Sequence, residues 1–213
     1  MTMDPVRVAV LIASMLSSLI YCQIAHDFSK LPDKVRFMLD NTTELLKSTE
    51  PLVLSYGLGG AMKDNRLCWT SQKYKNSTLG IDHYISYMTN ETKQPGSNFT
   101  EVRLPSVYYV APRNKTPTVL LEVHGNGAAD ELRGDYTLLA GTPECFVMGV
   151  IGRNKPKDKK CLYWMRLGAR WRNCQECDQA FYYNCSSLFG TFYTVRKFWK
   201  ECNFNHTRPD STT

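Results

Sequence analysis

The chain lacks several things that would have assigned it quickly. Beyond residue 22 no run approaches roughly 18 consecutive apolar residues, which excludes a spanning helix in the rest of the chain. It has no G-x-S-x-G elbow, so His124-Gly125-Asn126-Gly127 after an apolar run is a loop with glycines free for positive φ, not the oxyanion loop of an esterase. Gly57–Met62 (GLGGAM) has neither the G-x-G-x-x-G spacing nor a following Lys-Ser/Thr, which excludes a nucleotide loop. The four histidines, His26, His83, His124 and His206, share no ligand spacing. Cys174-x-x-Cys177 has no second pair and no His partner, which argues against zinc. No motif invites catalysis, and an enzyme is not expected. Internal repeats and linkers are also missing, so the 213 residues read as one domain after a leader.

What is present points outward from the cell. Arg7 precedes about 14 apolar or small residues, the length of a secretory h-region. Residues 1–22 are therefore expected to be a signal peptide, with cleavage after Cys22 or Ala25. Seven N-x-[ST] sequons, at Asn41, Asn76, Asn90, Asn98, Asn114, Asn184 and Asn205, suit a glycosylated surface. Eight cysteines suit disulfides in an oxidising compartment. The net charge of +6 is concentrated in the run 153–160, which reads as a solvated turn or a docking patch.

Residues 28–47 carry Leu31, Val35, Met38, Leu45 and Leu46 at loosely helical spacing. Then the period shortens. Strands are expected near 51–57, 66–73, 79–88, 99–104, 106–111, 117–124, 135–140, 145–151 and 161–166, with Gly, Asn, Pro and Asp between them. Residues 176–188 and 191–200 read as helical, and the tail 203–213 as polar and disordered. Many short antiparallel strands imply a sandwich or a barrel.

The order of these features resembles the lipocalins, and its cysteine frame resembles the tick salivary branch that includes the histamine-binding proteins. The matching residues are Cys68, Cys145, Cys161-Leu162-Tyr163-Trp164, Cys174 and Cys177 with Cys185, and Cys202, together with the strand pair Gly134–Val150. The general G-x-W signature is absent: Leu54–Gly59 has no Trp. The resemblance implies a mainly-β fold over 23–202, an eight-stranded antiparallel lipocalin barrel with an N-terminal and a C-terminal helix. It also implies the bridges Cys68–Cys202, Cys145–Cys177 and Cys161–Cys174, which leaves Cys185 odd unless Cys22 is retained. The implied role is sequestration of a small host mediator, a lipid or a biogenic amine. No cofactor, nucleic-acid partner or membrane anchor is expected, and the chain is expected to be a monomer.

Charge arithmetic separates the two ligand classes. A buried ammonium needs an inward carboxylate. Amine-binding members of the resembled family supply two, after the Cys of one strand and within E-L-[WY] of the next. Here those positions hold Phe146 and, in either register, no Glu around Leu162-Tyr163-Trp164. Alternation then turns Phe146, Met148, Leu162 and Trp164 inward, with Val119, Leu121 and Val123 and the face of Tyr136 and Leu138. Tyr84 and Ser86 are also expected to line the ligand site, with Tyr136 and Ser86 as polar anchors. An apolar ligand is favoured. Asp82 and Glu101 remain as alternative acids for an amine, and a third possibility is a protein-binding immunomodulator with the barrel as scaffold.

Overall fold

The computed structural model describes residues 30–77, 80–90, 99–125, 127–150, 159–188, 190–202 and 204. The expected leader 1–22, residues 151–158 of the basic turn, the sequons Asn98 and Asn205 and nearly all of the tail lie outside the described residues.

The N-terminal helix, α1, runs Asp33–Lys47. Asp33 lies in its first turn and Lys47 in its last, as the helix dipole favours. Met38, Leu39, Thr42, Leu45 and Leu46 form one buried stripe at helical spacing. This stripe shuts one end of a barrel made by the next eight strands. Closure depends on Gly141, where an added Cβ would stand 2.5 Å from the Met38 carbonyl oxygen.

The strands are β1 (Leu52–Leu58), β2 (Arg66–Asn76), β3 (Ile81–Thr89), β4 (Thr100–Arg113), β5 (Thr116–Val123), β6 (Gly134–Gly141), β7 (Cys145–Val150) and β8 (Lys160–Arg166). Each pairs antiparallel with the next, and β8 pairs with β1 along its length. The ring closes where Leu52 meets Ser71 and Val53 meets Thr70. Two expected strands, 99–104 and 106–111, are one continuous strand through Pro105. Strand β5 ends opposite Ser106, and His124 N donates to the Pro105 carbonyl; the reciprocal bond is the one that Pro105, without an N–H, cannot make, and it falls just where β5 stops. The loop 124–133 contains a short helix, α2 (Ala128–Leu132).

The first strand has two neighbours on one edge. Its start pairs with β2, but Tyr56, Gly57 and Leu58 pair with Thr194, Tyr193 and Phe192 of β9 (Phe192–Thr194). The expected helix over 191–200 is therefore this strand followed by one turn, α4 (Val195–Phe198). Aromatic and β-branched residues at 192–195 suit a strand, and tertiary pairing decides between the two. The C-terminal segment thus fills the seam where β2 diverges from β1, and Tyr193 and Val195 are buried there. The bridge Cys68–Cys202 fastens it.

The C-terminal helix, α3 (Gln175–Cys185), lies along the outer wall against β6, β7 and β8. It is bridged twice, by Cys145–Cys177 and Cys161–Cys185. The expected bridge Cys161–Cys174 is not formed, and Cys174 is a buried free thiol. Spacing explains the exchange. Cys145 stands opposite Met165 and Cys161 opposite Gly149, so the two are offset along the hairpin by about 13 Å, four residues at 3.3 Å each. Cys177 and Cys185 are two helical turns apart, about 12 Å. One helix laid along the hairpin satisfies both, whereas Cys174 is only about 4.5 Å along the axis from Cys177. With Cys177 in a disulfide, Cys174-x-x-Cys177 holds no metal.

Among the sequons, Asn90, Asn114 and Asn184 are exposed. The Asn41 side chain is half-buried and donates to the Gly141 carbonyl at 3.3 Å. Asn76 lies in β2.

Candidate ligand site in the barrel

Strand register determines which side chains face inward. Tyr108 stands opposite Leu121, Val119 opposite Tyr136, and Leu138 opposite Met148. Phe146 stands opposite Trp164, and Met148 opposite Leu162. Val119, Leu121, Val123, Tyr136, Phe146, Met148 and Trp164 are all 0% exposed, Leu162 is 1% and Leu138 2%. Side chains with no exposure line no open space, so at this level the barrel is filled by its own interior.

The third strand corrects four expectations. Asp82 stands opposite Val107, Tyr84 opposite Pro105, Ser86 opposite Arg103 and Met88 opposite Glu101. These form the outer face, because His83, Ile85 and Tyr87 on the other parity meet Ser106, Leu104 and Val102 inside. Tyr84 is 36% exposed and stacks on Tyr74, ring centroids 4.0 Å apart. Glu101 pairs with Arg103 at 2.9 Å on the surface. Neither acid reaches the interior, and neither Tyr84 nor Ser86 anchors a ligand there. The signal was in the sequence: Ile81, His83, Ile85 and Tyr87 are the more apolar of the two alternating sets.

The interior also holds a polar chain that sequence reasoning missed. The His83 ring lies 2.8 Å from the Leu46 carbonyl through Nε2 and 2.9 Å from Ser71 Oγ through Nδ1. Ser71 Oγ lies 3.1 Å from the Tyr108 hydroxyl. One assignment satisfies every group. Tyr108 donates to Ser71, Ser71 donates to Nδ1, and Nε2–H donates to the last turn of α1. The chain ties the closing helix to three strands.

It also makes stability depend on pH. Burial pushes the His83 pKa down to about 4, against the opposing effect of the Leu46 hydrogen bond. Between pH 6.5 and about 4 the unfolded chain binds this proton and the folded chain does not, so stability falls as pH falls through that window. The loss is about 3 kcal/mol by pH 4, at 1.36 kcal/mol per unit. Urea titrations at pH 7.0 and 4.5 should show the loss in the native protein, and a smaller one in His83→Gln.

The other end of the barrel is the mouth. Helix α2 lies over it with Ala128, Ala129 and Leu132 buried. Glu131 of this helix faces Lys63 at 3.2 Å and Arg66 at 3.5 Å. Lys160, inward at the end of β8, donates to the Arg133 carbonyl at 2.7 Å and lies 5.2 Å from the Tyr136 ring centre. The Tyr136 hydroxyl donates to the Leu132 carbonyl, so this expected anchor holds the lid. Trp164 Nε1, inside the barrel, has no hydrogen-bond partner among the described residues, and neither do Ser55 Oγ, buried in β1, and Thr42 Oγ1, on the buried stripe of α1. Ser55 occupies the bulge between Leu54 and Tyr56, next to the Leu54–Trp164 pair.

Eight antiparallel strands follow one another in chain order and return to the first. A helix shuts one end, and another lies along the outer wall. The fold is a lipocalin barrel. Among solved structures the lipocalin barrel of this chain is similar to Japanin from Rhipicephalus appendiculatus bound to cholesterol. Identity is 14% over 70% of this chain and 92% of that one, with a TM-score of 0.48. Apocrustacyanin C2 is similar at 9% identity over 76% of this chain and 84% of that one, with a TM-score of 0.49. Lobster apocrustacyanin A1 gives the same four values, 9%, 76%, 84% and 0.49. At these values the lipocalin fold rests on the strand order and the closure seen here. No protein-family model matches the sequence, and no curated protein sequence does. Among the described residues no helix is long and apolar enough to cross a membrane.

Proposed function

We propose that this lipocalin is secreted, belongs to the tick salivary type, and sequesters a small apolar host molecule such as a leukotriene, fatty acid or sterol. The observation that carries the reading is the inward face. Phe146 and Leu162 stand inside, where the resemblance places acids in amine-binding members, while Asp82 and Glu101 face out. The ligand would bind among Phe146, Met148, Leu162 and Trp164, with Val119, Leu121, Val123 and Leu138 across from them. Trp164 Nε1 and Ser55 Oγ would supply its polar anchors, since a buried donor without a partner costs about 1–3 kcal/mol until something accepts from it. Because side chains fill the interior, entry requires that they swing aside and that α2 leave the mouth.

The filled interior also favours a second reading, in which the barrel is a rigid scaffold for contact with a host protein or cell surface. Of its candidate contact, the run 153–160, Lys159 and Lys160 are described, and Lys160 turns toward the mouth. A titration separates the two. Delipidated protein secreted from insect cells is titrated with oleic acid and with cholesterol, followed by tryptophan fluorescence. The carrier reading expects saturable one-to-one uptake of at least one of them, abolished in Leu162→Glu. Uptake of neither would leave the scaffold reading.

A further inference from the structure

The tip of the β4–β5 hairpin carries a sequon beside a polar groove. Arg113 stands opposite Thr116, so Asn114 and Lys115 alone form the turn. Their φ angles are 48° and 68°, the left-handed pair that a two-residue hairpin turn needs. Asn tolerates this conformation well, and Asn114-Lys115-Thr116 is an N-x-[ST] sequon. The turn is exposed.

Asn114 itself lines a concavity of about 350 Å³, at the small end of the range for ligand sites. Thr116 and Thr118 of β5, Asp135 and Thr137 of β6, and Gly149 of β7 line it too. It lies on the outer wall of the barrel. Thr118 stands opposite Thr137, and Thr137 opposite Gly149, on the parity opposite to the inward Val119, Tyr136 and Met148. Arg113 pairs with Asp135, which ties the hairpin tip to β6 and holds the groove in shape.

The walls describe their occupant. Three threonine hydroxyls can each donate and accept. The charged lining residues are Arg113 and Asp135, and they offset each other. Such a surface offers hydrogen bonds of both senses, a few methyl groups and no net charge. A lipid would need apolar walls, and an ion would need an unmatched charge. A neutral ring bearing hydroxyls and an amide fits, and a sequon delivers one to this place, as N-acetylglucosamine on Asn114 Nδ2.

We propose that Asn114 carries an N-linked glycan whose first sugar units lie back in this groove, against Thr118, Asp135 and Thr137, instead of extending into solvent. This rests on secretion, as proposed above. The glycan is then a splint from the hairpin tip to β6 and β7, beside the Arg113–Asp135 pair. It also offsets the cost of Lys115 at a positive φ, where glycine is favoured.

Timed endoglycosidase H digestion of the intact, disulfide-bonded chain, secreted from mammalian cells with oligomannose glycans, tests this. Glycopeptide mass spectrometry follows each site. The enzyme cuts between the first two sugar units, the bond that the groove covers. The exposed Asn90 and Asn184 serve as references. Asn114 should be occupied and cut about tenfold more slowly than either reference, as protection by a pair of net hydrogen bonds implies. Thr118→Arg and Thr137→Arg each fill the groove from the outer face and leave the sequon intact. Each should bring the rate at Asn114 up to that of the references. An unoccupied Asn114 beside occupied references would overturn the proposal and leave secretion standing, whereas glycans at no sequon would overturn both. Equal rates at the three sites in the native chain, or slow cutting at Asn114 that persists in both arginine variants, would also overturn it.

Discussion

Removing the Cys68–Cys202 bridge, as Cys68→Ser/Cys202→Ser, is expected to cost about 3–5 kcal/mol of unfolding free energy, the largest loss from any of the three bridges. The two cysteines are separated by 134 residues, against 32 and 24 for the bridges of α3. Closing the longer loop removes more entropy from the unfolded chain, about 5 kcal/mol in the chain-entropy account against roughly 3.5 for the shorter ones. Native geometry adds to this. The bridge fastens the segment that fills the split between β1 and β2, so its loss exposes Tyr193 and Val195 as well. Guanidinium unfolding of the three double-serine variants would rank them. Hydrogen exchange should rise first in β9. Cys68 adds a check, because it sits at φ 57, a conformation that costs a non-glycine residue about 1–3 kcal/mol. Cys68→Gly/Cys202→Ser should therefore lose less than the double-serine variant, by about 1 kcal/mol.

Phe146→Asp is expected to be comparably severe at neutral pH. The Phe146 side chain is wholly buried, opposite Trp164 and edge-on to Tyr108 at 6.5 Å between ring centroids. Deleting such a ring costs about 3–5 kcal/mol before any charge is considered. Burial of the new carboxyl then raises its pKa above the unfolded value. A group whose folded pKa is raised is tolerated below its unfolded pKa, and its cost grows as pH rises through the folded one. The variant should therefore approach the native protein in stability on going from pH 7.0 to pH 4.5. This is the opposite of the trend that His83 gives the native chain. Phe146→Leu, which keeps most of the volume, should cost about 1 kcal/mol and show no such dependence. Urea midpoints of the three proteins at both pH values would show it. A stability for Phe146→Asp within 1 kcal/mol of the native protein at pH 7.0 would mean that this position is not in a packed interior.

Much of the barrel was legible because alternation and turn residues are local properties of the chain. Strands β5, β7 and β8 read correctly to within a residue or two, and their inward sets follow from parity once one position is oriented. On β3 the inward set Ile81, His83, Ile85 and Tyr87 is only modestly more apolar than Asp82, Tyr84, Ser86 and Met88, and the polar His83 masks it. Pro105 suggested a break because its tolerance depends on where β5 ends, which is a property of a neighbouring strand. The partner of Cys161 depends on how far α3 slides along the β7–β8 hairpin. The spacing of Cys177 and Cys185 against Cys145 and Cys161 would have supplied it had the register been known. The outer groove was half legible: the sequon at Asn114 is local, but Asp135 and Thr137 join it only after β6 pairs with β5.

A ligand inside the apolar barrel is the central expectation. Native mass spectrometry of the chain secreted from insect cells, purified without delipidation and then extracted with organic solvent, addresses that most directly. The expected result is one discrete apolar adduct per chain, removed by extraction and regained on exposure to the extracted lipid. A mass corresponding to the glycosylated chain alone, unchanged after exposure to fatty acid, leukotriene and sterol, would contradict it.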